Sequence, residues 1–291
     1  MLKFSLIIPT RNRVPKLQAC LAALTRLEYP RERFEVIVVN DGSSVSMEEV
    51  VQPFLNQLRG QLITQPHQGP AAARNRGARL AKGEFLVFTD DDCLPPTGWL
   101  QTLEAQFDQT PDHAVGGLLI NGEPENLYSK ASHQLLDYLY AYYNLKARPP
   151  SFFTSGNLAF PGDLFHKVGG FDTSFSVAGG EDREICDRWL HRGYRLSYVP
   201  EIVIYHTPSL HFFSFLRQHF NYGRGAFRFR ECQSRRRKDR IRMEHPQFYL
   251  DLIKAPFFRE RGISRYSQTG LLLSSQIANA FGFFWEWSRP A

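Results

Sequence analysis

Cysteine is scarce in this chain, and the four present, Cys20, Cys93, Cys186 and Cys232, fall at no CxxC or CxxH spacing. That excludes a zinc-ribbon site and a disulfide framework, and leaves free thiols of a reducing compartment as the simplest reading. Long apolar runs are also missing. The one ahead of Pro9 is too brief for the apolar core of a signal peptide, so a cytoplasmic location is expected. No stretch attains the roughly 20 apolar residues of a membrane-spanning helix. Leu271 to Trp287 comes nearest, but Ser274, Ser275, Gln276, Asn279 and Glu286 interrupt it, so it suits lying on a bilayer better than crossing one. Glycine-rich phosphate loops are absent: no GxGxxG follows the first apolar run and no GxxxxGK[ST] occurs, which argues against dinucleotide-dependent dehydrogenases and P-loop enzymes. There is no internal repeat and no low-complexity linker.

What is present is an ordinary globular composition, 43% hydrophobic over 291 residues, enough for one large α/β domain or two modest ones. The net charge of +6 suits anionic partners, among them nucleic acid, anionic lipid and nucleotide phosphates, and does not choose between them. Short apolar runs alternate with helical patterns through the first third: Phe4 to Ile8, then Leu17, Leu21 and Leu24 on one face, then Phe34 to Val39. This reads as βαβ units on a parallel sheet. Leu62-Ile63 predicts a third strand, Ala71 to Ala81 a helix, Glu84 to Phe88 a buried strand, Thr97 to Phe107 a helix and Ala114-Val115 a further strand. An aromatic helical stretch, Tyr128 to Tyr143, leads to the Pro149-Pro150 break. Residues 151–206 carry glycine turns, an amphipathic helix from Glu181 to Arg192, and two short apolar runs ending near Val199 and Tyr205. At helical spacing within that helix, Ile185 and Trp189 read as core.

In an open α/β sheet ligands sit beyond the carboxyl ends of the strands. Three runs end there on polar clusters: Pro9-Thr10-Arg11-Asn12-Arg13, Asn40-Asp41-Gly42-Ser43-Ser44, and Thr89-Asp90-Asp91-Asp92-Cys93. Consecutive carboxylates repel when buried, and a hard cation such as Mg²⁺ or Mn²⁺ shared with substrate phosphates removes that cost. Read alone, the triplet serves equally well as a solvated turn, and Asp41 as part of the turn Asn40-Asp41-Gly42. Arg11, Arg13 and Arg74 are placed to help neutralise phosphates, although a lone Arg74 reads as a solvated helix charge. Glu181-Asp182 alone reads as acidic capping of a helix N-terminus.

Taken in order, Ser5-Leu6-Ile7-Ile8-Pro9-Thr10-x-Asn12-Arg13, Val38-Val39-Asn40-Asp41-Gly42-Ser43, Gly69-x4-Arg74-Asn75-x-Gly77, Phe88-Thr89-Asp90-Asp91-Asp92, Gly169-Gly170-Phe171-Asp172, Glu181-Asp182 and Tyr205-His206 resemble the family 2 glycosyltransferases of GT-A fold. The resemblance implies an α/β fold: a Rossmann-like nucleotide-binding half at about residues 1–119 with a mixed central sheet, and an acceptor half at about 120–211. It implies that Pro9, Thr10, Arg11 and Arg13 lie along a nucleotide-diphosphate sugar, that Asp41 bonds the base and that Arg74 supports the nucleotide. Asp90 and Asp91 would hold ribose and pyrophosphate. Asp92 would ligate Mn²⁺ or Mg²⁺, with His206 completing the shell. Asp182 would be the general base of an inverting transfer, with Glu181, Gly156 and Asn157 near the sugar and acceptor. The segment Asn221-Tyr222-Gly223-Arg224-Gly225 echoes the family and would lie over the pyrophosphate.

Residues 212–291 form a basic and aromatic region, in which nine Arg or Lys residues lie between Arg224 and Arg242 against Glu231 and Asp239. Such a run is a solvated face, or it binds anionic lipid or nucleic acid. Beside a glycan or lipid-linked acceptor, a peripheral role on the cytoplasmic membrane face is expected, with no nucleic-acid partner. Two rivals stand beside this reading. A sugar-phosphate nucleotidyltransferase would need a glycine-rich, lysine-containing N-terminal loop, which is absent. A non-catalytic membrane- or nucleic-acid-binding module would rely on the basic run alone.

Overall fold

The structure is a computed structural model that describes residues 2–146, 149–175, 177–259 and 262–289. In chain order its elements are β1 (Phe4–Thr10), α1 (Val14–Leu24), β2 (Phe34–Asp41), α2 (Glu48–Gln57), β3 (Gly60–Gln65), α3 (Pro70–Leu80), β4 (Phe85–Phe88), β5 (Cys93–Leu94), α4 (Trp99–Gln109), β6 (Ala114–Asn121), α5 (Leu127–Tyr140), β7 (Leu158–Pro161), α6 (Gly162–Val168), α7 (Glu181–His191), β8 (Leu196–His206), α8 (Phe212–Arg237), α9 (Pro246–Arg259) and α10 (Ser264–Trp287). Among the described residues the strands form one eight-stranded sheet of order β3-β2-β1-β4-β7-β6-β8-β5. The strands β3, β2, β1 and β4 run parallel, whereas β7 opposes both β4 and β6, and β5 opposes β8. This is the expected mixed α/β sheet.

Alternation along the strands builds two cores. Phe4, Leu6 and Ile8 of β1, Val36 and Val38 of β2, and Phe85 and Val87 of β4 point to one face, where they meet Leu17, Leu21 and Leu24 of α1 and Leu100, Leu103 and Phe107 of α4. Ile7, Leu86 and Phe88 point to the other, against Phe160, Phe165, Phe171, Ile185 and Trp189. Strands buried on both faces lose the polar alternation of surface strands, which is why the runs Phe4 to Ile8 and Phe34 to Val39 are almost wholly apolar. The helix α3 comes close to this sheet because Gly77 has no side chain: a Cβ there would lie 2.6 Å from Ile7 Cγ2.

Two expectations are corrected by the sheet. The apolar runs ending near Val199 and Tyr205 are one strand, β8, whose pairing with β6 jumps from Gly117↔Val199 to Leu118↔Val203. Pro200 has no N–H to give to the ladder, so the strand bulges there and resumes. The short strands β5 and β7 were not expected, because two and four residues leave no periodic signal.

The basic run is also corrected, since it is not a free cationic face. Arg236 pairs with Glu184 and Asp187, Arg237 with Asp187 at 2.6 Å, and Arg230 with Glu244 at 3.1 Å. Arg224 and Arg228 both bind Glu286 of α10, and Arg235 and Arg242 pair locally with Glu231 and Asp239. These ion pairs fasten α8 to α7 on one side and to α10 on the other. No described helix is long and apolar enough to cross a membrane.

Candidate active site

The strand β4 ends at Phe88, and the chain then turns through Thr89, whose hydroxyl donates to the Gly156 carbonyl at 3.0 Å. The turn presents the three aspartates in different directions, each toward its own partner. Asp91 accepts from the Thr10 hydroxyl at 2.7 Å and pairs with Arg13 at 2.9 Å. Asp92 pairs with the other arm of Arg13 and lies 3.4 Å from His206 Nε2. Asp90 faces Arg74 at 2.7 Å. His206 reaches Asp92 because β5 pairs Cys93 with His206, and the Thr207 N–H donates to the Asp92 carbonyl at 2.8 Å.

Electrostatics separates the buried carboxylates. Burial, reinforced by Asp92 and Asp90, raises Asp91 to about 7 even though Arg13 and the Thr10 hydroxyl oppose it. Asp92 is held far below the usual carboxylate range, because His206 and Arg13 overcome the cost of its burial. The imidazole of His206 is raised in turn, as Asp92 outweighs its own burial.

On the other flank Arg74 is a buried bridge, not the solvated helix charge that it resembles in isolation. Its guanidinium joins Asp90 to Glu181 Oε1 at 3.0 Å and lies 5.6 Å from the ring centre of Phe171. Glu181 is buried, and its second oxygen accepts the Gly179 N–H at 2.8 Å. Gly179 and Gly180, at φ +125° and +94°, supply the left-handed backbone that turns the chain into α7. Next along, Asp182 is partly buried and accepts the Arg183 N–H at 2.8 Å. Burial first and the Glu181 charge second raise Asp182 to about 7.

At the β2 end Asp41 accepts from Gln65 at 2.8 Å, His67 Nδ1 at 2.7 Å and the Gln68 and Gly69 N–H groups at 2.9 Å each. These bonds hold its pKa down against burial and shape the loop into α3. Arg11 contacts His67 Nε2 at 3.1 Å, so Pro9, Thr10, Arg11 and Arg13 line the β1 end beside both carboxylate groups.

Gly156 sits against the acids: a Cβ there would lie 3.3 Å from Cys93 Sγ and 3.4 Å from Asp90 Oδ2. Asn157 is placed differently from its expected role beside the sugar. It is buried, its Nδ2 donates to the carbonyls of Leu118 at 3.0 Å and Ile202 at 2.8 Å, and its Oδ1 accepts from Trp99 at 3.2 Å. Its amide is therefore committed to the framework under Gly156.

Sequence reasoning missed His67 and Gln65, because a lone histidine and glutamine after a weak strand carry no spacing signal. The phenol of Tyr222 was legible only as part of a resemblance. It packs at the turn into α7, where a Cβ on Gly179 would lie 2.9 Å from its Cδ1. Asn75 pins the loop after α6, donating to the Phe171 carbonyl at 2.7 Å and accepting the Phe171 N–H at 2.9 Å.

The donor set fits a hard divalent cation. Asp90, Asp92 and Cys93 each present an atom within 4.8 Å of the others. The Cys93 thiol is a soft donor, which hard cations bind poorly. Two carboxylates and the nearby His206 imidazole remain, a set that suits Mn²⁺ or Mg²⁺.

Residues 5–169 match the family described as Glycosyl transferase family 2. The chain belongs to this family. Residues 136–211 also match the family described as N-terminal domain of galactosyltransferase. This glycosyltransferase is 29% identical over 223 residues to glycosyltransferase AglE of Haloferax volcanii, covering 76% of this chain and 72% of the relative. It is 32% identical over 221 residues to validoxylamine A glucosyltransferase of Streptomyces hygroscopicus subsp. jinggangensis, spanning 66% of this chain but only 50% of that protein. The solved mannosyltransferase PcManGT from Pyrobaculum calidifontis, in complex with GDP-Man and Mn²⁺, superposes with a TM-score of 0.63 at 20% identity, over 95% of this chain and 73% of the other. TarS 1–349 of S. aureus in complex with UDP-GlcNAc gives 0.55 at 18% identity, over 95% and 91%. At those identities the structural likeness is one of fold.

Proposed function

We propose that this glycosyltransferase performs a metal-dependent, inverting transfer of a sugar from a nucleotide-diphosphate sugar to an acceptor hydroxyl. The observation that carries this reading is the buried Arg74 bridge, which fixes Asp90 of the acidic triplet to Glu181, the residue before Asp182. One arginine thereby sets the spacing between the donor end and the acceptor end. The relatives' names, a glycosyltransferase and a glucosyltransferase, and the nucleotide sugars in the neighbouring structures support it.

In this reading Asp41, with His67 and Arg11 beside it, faces the base, and Pro9, Thr10 and Arg13 follow the nucleotide toward the diphosphate. Asp91, fixed by Thr10 and Arg13, accepts ribose hydroxyls. Asp92, with Asp90 and His206, would hold Mn²⁺ or Mg²⁺, which would supply positive charge against the departing diphosphate. Gly156 leaves room for the sugar beside Asp90. Asp182 accepts the proton of the acceptor hydroxyl as that oxygen bonds to the anomeric carbon; the bond to the diphosphate breaks, and its electron pair leaves with the nucleotide. Attack opposite the leaving group inverts the anomeric centre. A carboxylate raised to about 7 is well matched to that proton transfer near neutral pH. The acceptor is a glycan or lipid-linked hydroxyl in surface-glycan or glycolipid synthesis, met at the cytoplasmic face of a membrane.

Asp182→Asn tests the assignment. Transfer should be abolished while nucleotide binding stays near wild type. Wild-type turnover in this variant would show that another group takes the proton.

A further inference from the structure

The helix α10 carries apolar residues on both sides. Its protein-facing side buries Leu272 and Phe283 together with Gln268, Ser275 and Glu286, while Tyr266, Leu273, Ile277, Phe281, Phe284, Trp285 and Trp287 are 41–69% exposed. Their spacing draws one apolar stripe along the helix, about 30 Å long at 1.5 Å per residue. Between Tyr266 and Ser288 no exposed residue of this helix is charged, because the one acid, Glu286, is buried against Arg224 and Arg228. Arg265 and Arg289 flank the stripe, and Arg289 lies 4.9 Å from the ring centre of Trp285.

The helix cannot roll to hide this face. Gly223 and Gly282 let α8 and α10 touch backbone to backbone, since a Cβ on Gly223 would overlap the Asn279 carbonyl and one on Gly282 the Phe220 carbonyl. Glu286 is anchored on the same side.

From these features we infer that the outward stripe of α10 is a lipid-docking face, which seats its aromatic residues at the headgroup and acyl boundary of a bilayer. The inference rests on the proposal that the acceptor is met at a membrane, and it names the surface that makes the contact. Aromatic and aliphatic side chains flanked by arginine, with no exposed acid, match an interfacial lipid environment and its phosphates. Binding therefore comes from apolar insertion more than from the basic run between Arg224 and Arg242, most of which is paired with carboxylates of the protein itself.

The test is flotation of the full chain with phosphatidylcholine vesicles and with vesicles containing phosphatidylserine, alongside light scattering without lipid. Donor hydrolysis in the absence of vesicles is measured on each variant, to separate loss of docking from loss of the fold or of the enzyme reading. Wild type should float with both vesicles. Phe281→Ser/Trp285→Ser should partition at least about tenfold less, as expected from two aromatic side chains no longer buried in lipid, with hydrolysis unchanged. Arg235→Ala/Arg240→Ala should float like wild type on phosphatidylcholine. Failure of wild type to float on phosphatidylcholine would overturn the inference, and so would a lipid-free dimer that the double serine variant dissociates. Equal flotation of the double serine variant and wild type would overturn it as well.

Discussion

Replacing Arg74 with methionine isolates the bridge on which the site is organised. Its side chain is only 4% exposed and serves two carboxylates, Glu181 at 3% and Asp90 at 32% exposure. Removing one partner of a buried ion pair typically costs about 3–5 kcal/mol, because the remaining charge is uncompensated. Asp90 can be rehydrated, so its share is small. The main loss is at Glu181, which keeps only the Gly179 N–H. About 3 kcal/mol is therefore expected, or a fall in Tm of about 5–10 °C for a chain of this size. Arg74 also lowers the Asp182 pKa, so its removal should move the acid limb of the rate profile alkaline from about 7. Arg74→Met/Glu181→Gln should recover most of the lost stability and little of the lost rate. Differential scanning calorimetry and pH profiles of turnover measure both effects. A methionine variant with wild-type Tm and an unmoved acid limb would refute the reasoning.

Four further outcomes follow from the geometry. With Asp182 as the proposed base, the carboxylate is the active form, so turnover should rise with pH and level off above about 7. The same raised value costs stability as pH climbs from the ordinary carboxylate range through about 7, and comparison of Tm at pH 5 and pH 8 should show a smaller decline in Asp182→Asn. Asp92→Ala should abolish the metal dependence of nucleotide binding in calorimetric titrations, whereas Asp182→Asn should retain it. Gly225→Ala would drive a methyl into the Gly179 carbonyl at the entrance to α7, and overpacking of this kind costs about 1–3 kcal/mol; kcat should fall more than nucleotide affinity, as seen in steady-state kinetics.

Much of the N-terminal part of the sheet was legible because its strands are apolar on both faces and end abruptly on polar clusters. Asp41 and Asp90 to Asp92 stand at those ends, and Arg74 stands one helix further on. The bulge at Pro200 and the two-residue strand β5 were not legible, since each depends on a partner strand far away in sequence. The same limit hid the framework role of Asn157, whose bonds go to Leu118, Ile202 and Trp99. The basic run misled for a related reason: the acids that pair with Arg224, Arg228, Arg236 and Arg237 lie 49–62 positions away in the chain. Composition shows the arginines and conceals their partners.

The most direct test of the account is turnover of a panel of nucleotide-diphosphate sugars by the full chain, with Mn²⁺, with Mg²⁺ and after chelation, read as released nucleoside diphosphate. Metal-dependent release from at least one donor, lost in both Asp92→Ala and Asp182→Asn, is the predicted result. Release that is indifferent to chelation, or equal in wild type and Asp182→Asn, would contradict it.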